Sequence, residues 1–198
     1  MNNIECVKNA LIESKMSLEA LLGNQDAVCR IADAGRIISS ALRGGSRVFS
    51  CGNGGSMCDS IHFAEELSGR YRDDRKGLPA VAIADPGHIS CVGNDYGYQY
   101  IFSRYLQAHG KRGDVLLCIS TSGRSANVLH AAEYAKDNGM SVISLSGRPQ
   151  SPLSFLSSID ICTPAGKYAD RVQELHIKVI HILIELVERD LFPENYSR

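Results

Sequence analysis

Four hydroxyl side chains are concentrated in one short segment, which reads STSGRSAN over Ser120–Asn127. The segment follows an apolar run, Val115–Ile119, and precedes a stretch of helical character at 128–138. Where a strand is followed directly by a helix, the backbone N–H groups of the first helical turn have no intrahelical partners, and the helix N-terminus adds partial positive charge. Such a turn suits a phosphate monoester. The hydroxyl residues of this predicted phosphate loop are Ser120, Thr121, Ser122 and Ser125.

The composition of the phosphate loop favours one class of anion. The loop contains no lysine, so it lacks the cation that reaches the phosphates in a P-loop. This disfavours a nucleoside triphosphate with magnesium and favours the phosphate of a small sugar or metabolite. The alternative is that these Ser and Thr side chains only cap a helix, as such residues often do. The loop by itself does not define a reaction.

Ionisable and amide side chains interrupt the apolar faces of two predicted helices. His62 and Glu66 are four residues apart and share one helix face. Gln173 and His181 are eight residues apart, which separates them by about 80° around the helix and roughly 12 Å along it. Two extended side chains could nearly span that distance around one metal ion, or the ligands could come from two copies of the chain. Two imidazoles, a carboxylate and an amide oxygen would suit zinc.

Each of these residues also has a simpler interpretation. A histidine in an apolar helix is often a hydrogen-bonded core residue, and a His/Glu pair at this spacing is often a solvated surface pair. The combination with a phosphate anchor is more informative. An aldose–ketose isomerase needs a base and an acid to move a proton between adjacent carbons through an enediol, and a Glu and a His can fill those roles.

Strands and helices alternate along the chain and must position these groups. The alternation predicts an α/β fold with a parallel sheet and helices on both faces. In such a sheet ligands bind beyond the carboxyl ends of the strands. The predicted strands are Arg47–Cys51, Leu78–Ala84, Asp114–Ile119, Ser141–Leu145 and Ile159–Thr163.

A glycine-rich turn, CGNGGSMCDS, links the first predicted strand to a helix over about Ser56–Gly69. Its glycines permit backbone conformations and close approaches that a Cβ would forbid. Because this turn and the phosphate loop both follow strands of one parallel sheet, we expect them to meet at its carboxyl edge.

Long helical segments flank the predicted strands. Residues 3 to about 43 indicate a helical pair, which is typical of a cover or an oligomer surface. The last predicted helix, Tyr168–Leu191, is apolar on nearly every side and predicts burial against both the sheet and another subunit. We expect one domain over residues 1–198, in which residues 1–43 serve oligomerisation and residues 46–192 form the α/β core.

Composition argues against several classes of protein. The chain of 198 residues has a net charge of -1 and no long basic run, which argues against nucleic acid as the main partner. Neither a signal-peptide pattern nor a spanning apolar stretch is visible, so we expect a cytoplasmic protein without a membrane partner. Seven scattered cysteines without a CxxC pair predict reduced thiols. The aromatic run Tyr96–Tyr105 contains a single basic residue, Arg104, instead of a regularly interleaved basic series, and is interpreted as packing.

Four longer segments together resemble the phosphoheptose isomerases of the sugar isomerase (SIS) superfamily. The segments are CGNGGSMCDSIHFAEELSGRY, AIADPGHISCVGNDYGY, GDVLLCISTSGRSANVL and YADRVQELHIKVIHILIELVE, and the resemblance spans about Leu18–Phe192. It implies a single SIS domain with a flavodoxin-like five-stranded parallel sheet, and a homotetramer with active sites at subunit interfaces. It also implies isomerisation of sedoheptulose 7-phosphate to D-glycero-D-manno-heptose 7-phosphate, the first step towards ADP-heptose precursors for lipopolysaccharide.

The same resemblance implies roles for particular residues. One zinc ion per subunit would be held by His62, Glu66, Gln173 and His181. The catalytic acid/base pair would be Glu66 and His181. The implied substrate-binding residues are Asn53, Gly54, Gly55, Glu66, Asn94, Asp95, Ser120, Thr121, Ser122, Ser125 and Gln173.

Three other SIS proteins are the competing interpretations. The main alternative is a non-catalytic SIS tetramer that binds the replication initiator protein. Such a protein lacks the acid/base residues, whereas both Glu66 and His181 are present here. A SIS regulator would usually carry an extra DNA-binding domain, and an arabinose 5-phosphate isomerase would usually be longer. The sequence leaves open whether zinc takes part in catalysis or mainly holds the helices together.

Overall fold

A parallel β-sheet forms the centre of the protein in a computed structural model, which describes residues 2–197. Its strands are β1 Val48–Gly52, β2 Ala80–Ala82, β3 Val115–Ser120, β4 Ser141–Ser146 and β5 Ile159–Cys162. The order across the sheet is β2-β1-β3-β4-β5, and every neighbouring pair is parallel. This is the order of a flavodoxin-like sheet, so the predicted fold class is confirmed.

Helices precede, connect and follow these strands. The α-helices are α1 Asn3–Gly23, α2 Gln25–Arg43, α3 Gly55–Ser68, α4 Pro86–Asp95, α5 Ile101–His109, α6 Ala126–Asp137, α7 Pro152–Leu156 and α8 Ala169–Leu191. Short 3-10 helices cover Tyr98–Tyr100 and Pro193–Tyr196. The two predicted N-terminal helices are present as α1 and α2. Asn24 separates them, because its side chain accepts a hydrogen bond from Ala27 N and caps the start of α2.

The two faces of the sheet bury different helices. Val115, Leu117 and Ile119 pack on one face with apolar residues of α2, α3 and α8. Leu116 and Cys118 point to the opposite face and pack with α5 and α6. Both faces are covered, which explains why the sequence of β3 is continuously apolar rather than alternating. Helices α3 and α8 share a face, and this brings their polar residues together.

The segment after β4 and the segment after α8 both form ordered local structure. The Ser/Pro-rich segment after β4 contains α7, because Ser151 accepts a hydrogen bond from Ser154 N and Pro152 occupies the first helical turn. After α8, Tyr196 donates a hydrogen bond to Glu188 Oε2 on that helix over 2.8 Å. The tail therefore folds back onto the last helix.

The second strand is shorter than the predicted Leu78–Ala84. Pro79 precedes the paired residues and has no N–H for the ladder, so pairing with β1 covers Ala80, Val81 and Ala82. β2 is an edge strand of the sheet, where a proline is tolerated.

Helix α1 leaves an apolar stripe exposed on the single chain. Ile4, Leu11 and Leu22 are 68%, 66% and 74% exposed. Helix α2, in contrast, buries Ile31, Ala34 and Ile38 in the core. Among the helices of residues 2–197, none combines the length and the apolar character needed to cross a membrane.

Candidate functional site

Helices α3 and α8 bring three of the predicted metal ligands together. His62 Nε2 lies 2.9 Å from His181 Nε2 and 3.6 Å from Glu66 Oε1. His62 and Glu66 are one turn apart on α3, whereas His181 is 119 residues away in sequence and comes from α8. The Tyr71 ring lies beside His181, with 5.9 Å between the ring centroids. Two imidazoles and a carboxylate thus converge at one point.

The environment shifts the pKa values of the two predicted catalytic groups, Glu66 and His181, in opposite directions. Burial raises the pKa of Glu66, and the adjacent Glu65 carboxylate adds to this shift. Burial lowers the pKa of His181, and the neighbouring His62 adds to it. A carboxylate with a raised pKa is a stronger base, and an imidazole with a lowered pKa is neutral at pH 7. This pairing suits a base and a neutral proton donor working side by side.

Glu65 is a further member of the cluster that the sequence analysis missed. Its Oε1 lies 3.3 Å from His62 Nδ1, and ligand atoms of His62, Glu65 and Glu66 lie within 4.8 Å of one another. A carboxylate at Nδ1 favours the tautomer in which Nδ1 carries the proton and Nε2 offers its lone pair. The available signal was the three-residue spacing between His62 and Glu65, which places both on one helix face.

Gln173 lies against the glycine-rich turn, at the start of α3. A Cβ on Gly55 would be 2.6 Å from Gln173 Nε2, so only glycine permits this approach. Gly55 begins α3, and His62 follows two turns later on the same helix. Because His181 also follows Gln173 by about two turns, α3 and α8 run in the same direction here. The structure thus places the Gln173 carboxamide at the glycine-rich turn, and the His/Glu cluster lies about two turns further along both helices.

The phosphate loop follows β3 and opens α6, as predicted. Ser120 Oγ lies 3.2 Å from Ser125 Oγ. Ser125 is the N-cap residue of α6, but its side chain makes no capping hydrogen bond. Gly123 has a φ of +61°, and a side chain there would collide with Ser151. A tight turn with a hydroxyl that does not cap its helix can offer that hydroxyl to an anion.

Asn53 joins the glycine-rich turn to the phosphate loop. Its Nδ2 donates to Asn127 Oδ1 over 2.9 Å, and Asn127 Nδ2 donates back to Asn53 Oδ1 over 2.8 Å. The Tyr98 hydroxyl also donates to Asn53 Oδ1, over 3.1 Å. The prediction that Tyr98 is a packing residue was wrong, because its side chain is 54% exposed and reaches this contact. Asn127 was not recognised from the sequence as a site residue.

Asn94 and Asp95 lie at the end of α4, in the segment that leads to Tyr98. Both are exposed, and Asn94 Nδ2 donates to Asp95 Oδ1 over 2.7 Å. The segment continues through Gly97, where φ is +101°, into the 3-10 helix that carries Tyr98. Asn94 and Asp95 are therefore on the same connection that contacts Asn53.

The fold and the site together define a SIS domain. The family model described as the SIS domain matches residues 13–147 of this chain. That range begins within α1 and extends just past β4, so it includes the glycine-rich turn and the phosphate loop. The remaining site residues, Gln173 and His181, are supplied by α8.

Similarity to known proteins identifies one family among the proteins that contain a SIS domain. The phosphoheptose isomerase of Tolumonas auensis is 51% identical over 187 residues, covering 94% of this chain and 97% of that protein. The structure of phosphoheptose isomerase GmhA from Neisseria gonorrhoeae superposes with a TM-score of 0.87 at 33% identity, covering 94% and 99% of the two chains. The Francisella tularensis phosphoheptose isomerase gives a TM-score of 0.87 at 31% identity, covering 96% and 100%. The chain belongs to the phosphoheptose isomerase family.

Proposed function

We propose that the protein isomerises sedoheptulose 7-phosphate to D-glycero-D-manno-heptose 7-phosphate. The observation that carries the proposal is the convergence of Glu66 and His181 on His62, with a phosphate loop at the neighbouring sheet edge. The family relationship supports the same reaction. The product supplies heptose for lipopolysaccharide or related glycans, and we place the reaction in the cytoplasm.

The substrate is anchored at its phosphate and recognised along its hydroxyl groups. Ser120, Thr121, Ser122 and Ser125 hold the phosphate at the start of α6. The backbone of Gly54 and Gly55 approaches the open-chain sugar closely, because neither residue carries a side chain. The polar side chains assigned to the rest of the substrate are those of Asn53, Asn94, Asp95 and Gln173.

Glu66 and His181 divide the proton transfers between them. Glu66 removes the proton from C1 of the ketose and returns it to C2, so that the carbonyl moves from C2 to C1 through an enediol. His181 moves the proton on the oxygens and keeps them neutral as the double bond forms.

The donor set of the cluster fits zinc. We assign His62, Glu66 and His181 as ligands, because imidazole nitrogens and carboxylate oxygens are groups that zinc binds. The resemblance to the phosphoheptose isomerases adds the amide oxygen of Gln173 as the fourth ligand. A bound zinc ion would supply Lewis-acid polarisation of a substrate oxygen, or a rigid link between α3 and α8. Glu65 supports the site by orienting His62 through its Nδ1.

The exposed stripe on α1 supports a homotetramer with active sites at subunit interfaces. Large contiguous apolar surface is uncommon on a monomer and marks an interaction surface. Residues 1–43 would then provide oligomer contacts, while residues 46–192 form the α/β core. The exposed apolar side chains of α1 are Ile4, Val7, Leu11, Ile12, Met16, Leu18 and Leu22.

The test of this function is turnover of sedoheptulose 7-phosphate by the purified protein and by Glu66→Gln. The amide cannot take up the proton, so we expect kcat to fall by at least about a thousandfold while substrate still binds. Glu133→Gln, on the exposed face of α6, is the matched control and should retain normal turnover. Full activity in Glu66→Gln would contradict the assignment of the base.

Chelation of the wild-type protein tests the metal site. Turnover should be lost on chelation and recover with added zinc. No turnover in any metal state would contradict the isomerase proposal and would favour the initiator-binding alternative. Direct binding of the purified replication initiator protein then decides whether that alternative is correct.

A further inference from the structure

A reciprocal pair of carboxamides closes the crevice between β1 and β3. Asn53 follows β1 and Asn127 lies in the first turn of α6, which follows β3. Each side chain donates one hydrogen bond to the other, at 2.9 Å and 2.8 Å. Asn127 is 3% exposed. In the order β2-β1-β3-β4-β5, the chain leaves β1 towards β2 on one side and leaves β3 towards β4 on the other side. The Asn53–Asn127 pair therefore spans the topological switch point, where such sheets bind ligands.

A single backbone N–H fixes the direction of every hydrogen bond in this pair. Val128 N donates to Asn127 Oδ1 over 3.0 Å. A backbone N–H can only donate, so the atom it meets must be the oxygen of Asn127. The nitrogen of Asn127 then faces Asn53, and Asn53 must present its oxygen to that nitrogen. The amide orientations are therefore set by the network and not by choice of rotamer alone.

Both lone pairs of the Asn53 side-chain oxygen are occupied by hydrogen bonds within the protein. Oδ1 accepts from Asn127 Nδ2 and from the Tyr98 hydroxyl, which accounts for both of its lone pairs. One hydrogen of Asn53 Nδ2 goes to Asn127, and the second remains for a ligand. The Tyr98 hydroxyl donates its hydrogen to Asn53 Oδ1, so towards a ligand it can act only as a hydrogen-bond acceptor.

We propose that Asn127 is a positioning residue that makes Asn53 a hydrogen-bond donor to the sugar, and that the Tyr98 hydroxyl is a further substrate contact that accepts from a sugar hydroxyl. The inference rests on the proposed function, since it takes a sugar phosphate as the ligand in the crevice. A hydroxyl is the group this arrangement recognises, because it can accept from Asn53 and donate to Tyr98 at once.

The experiment is a double-mutant cycle on sedoheptulose 7-phosphate turnover, with Asn53→Ala, Asn127→Ala and the double variant. Each single change should raise KM about tenfold with little change in kcat, as expected for one lost hydrogen bond to substrate. Because Asn127 acts through Asn53, the double variant should be no worse than Asn53→Ala alone. Tyr98→Phe, which keeps the ring, should raise KM severalfold.

Two further variants separate positioning from stability. Asn138→Ala removes an amide hydrogen bond to Tyr134 O at the other end of α6, and it should leave KM unchanged even if the melting temperature falls. Asn127→Asp keeps the acceptor for Val128 N–H but loses the donor to Asn53, so KM should rise as in Asn127→Ala even if the alanine variant folds poorly. In each case the melting temperature is measured beside KM.

The failures of the two proposals are distinguishable. Additive KM effects, near a hundredfold in the double variant, or an unchanged KM in both Asn127 variants with normal wild-type turnover, would overturn the role of Asn127. An unchanged KM in Tyr98→Phe would overturn the contact from Tyr98. Absence of turnover in the wild-type protein and in all variants would instead overturn the proposed function.

Discussion

At the scale of single residues, burial lowers the pKa of two histidines on α8, His176 and His181, whose surroundings differ. His181 lies beside His62 and Tyr71 at the edge of the cluster, where its ring remains partly accessible. His176, on the same helix, is fully buried, and neither ring nitrogen has a hydrogen-bond partner of good geometry within residues 2–197. The nearby Ser146 backbone favours the charged ring only weakly, and burial lowers the pKa of His176 to about 4. His176 is thus a neutral core residue whose ring lacks, within the described part of the chain, the hydrogen bond that usually accompanies a buried histidine.

His176 should make the stability of the protein depend on pH. The folded state lowers its pKa from 6.5 to about 4, so the unfolded chain binds the proton more tightly. Stability is then fully present above pH 6.5 and is lost as the pH falls towards 4, by about 3 kcal/mol in total. His176→Leu should remove this part of the pH dependence. Urea unfolding at pH 5 and pH 7.5, with chelator present, measures it.

The exposed His109 provides the control for this measurement. His109→Leu should keep the wild-type loss of stability between pH 7.5 and pH 5, because the ring lies at the surface. Equal pH dependence in His176→Leu and the wild-type protein would show that the ring does not stay neutral in the core.

The residue scale also shows what could be predicted from the sequence. His62 and Glu66 share a helix face because of their spacing, and the phosphate loop is a local pattern of hydroxyls and glycine. Asn53 and Asn127 are 74 residues apart, and their contact depends on β1 and β3 being neighbours. Periodicity predicts the strands but gives no order across the sheet, so this pair was not visible.

At the scale of elements, one arginine joins the end of α3 to α8. Arg75 donates to the carbonyl oxygens of Glu66, Leu67 and Gly69 over 2.6, 2.8 and 2.8 Å. It also pairs with Glu188 Oε1 over 2.8 Å, and both side chains are almost completely buried, at 1% and 2% exposure. Cationic donors at a helix C-terminus satisfy carbonyls that have no intrahelical partner. This pair therefore fixes the end of the helix that carries Glu66.

Removing Arg75 should be strongly destabilising. Arg75→Met leaves the Glu188 carboxylate buried without its cation, which we expect to cost about 3–5 kcal/mol in unfolding free energy. The double variant Arg75→Met with Glu188→Met should recover part of that loss, since no charge remains buried. Equilibrium urea unfolding of the single and double variants is the measurement.

A matched control lies three residues earlier in the chain. Arg72 pairs with Glu185 on α8 over 2.8 Å, but its side chain is 48% exposed. Arg72→Met should cost about 1 kcal/mol or less, because water screens an exposed ion pair. Similar losses in Arg75→Met and Arg72→Met would mean that burial of the Arg75 pair contributes little.

At the scale of the whole molecule, the N-terminal helices make unequal use of their apolar residues. The sequence predicts two helices with apolar stripes, and both are present. Helix α2 buries its stripe against α8 and the sheet, whereas α1 contributes mainly Leu21 to the core. Sequence periodicity identifies an apolar face but cannot say whether its partner belongs to the same chain. In the proposed tetramer, the stripe of α1 is the surface that a second copy would cover.

A negative charge on the α1 stripe should dissociate the proposed tetramer. Leu11 is 66% exposed on the isolated subunit, so Leu11→Glu should leave the fold intact but place a charge in an apolar interface. Gln25→Glu, an exposed change of equal charge at the start of α2, is the control and should leave the assembly intact. Light scattering coupled to size-exclusion chromatography gives the mass, and turnover is measured in the same fractions. If active sites lie at the interfaces, the dissociated Leu11→Glu protein loses activity with its assembly, whereas active monomers would place the whole site within one chain.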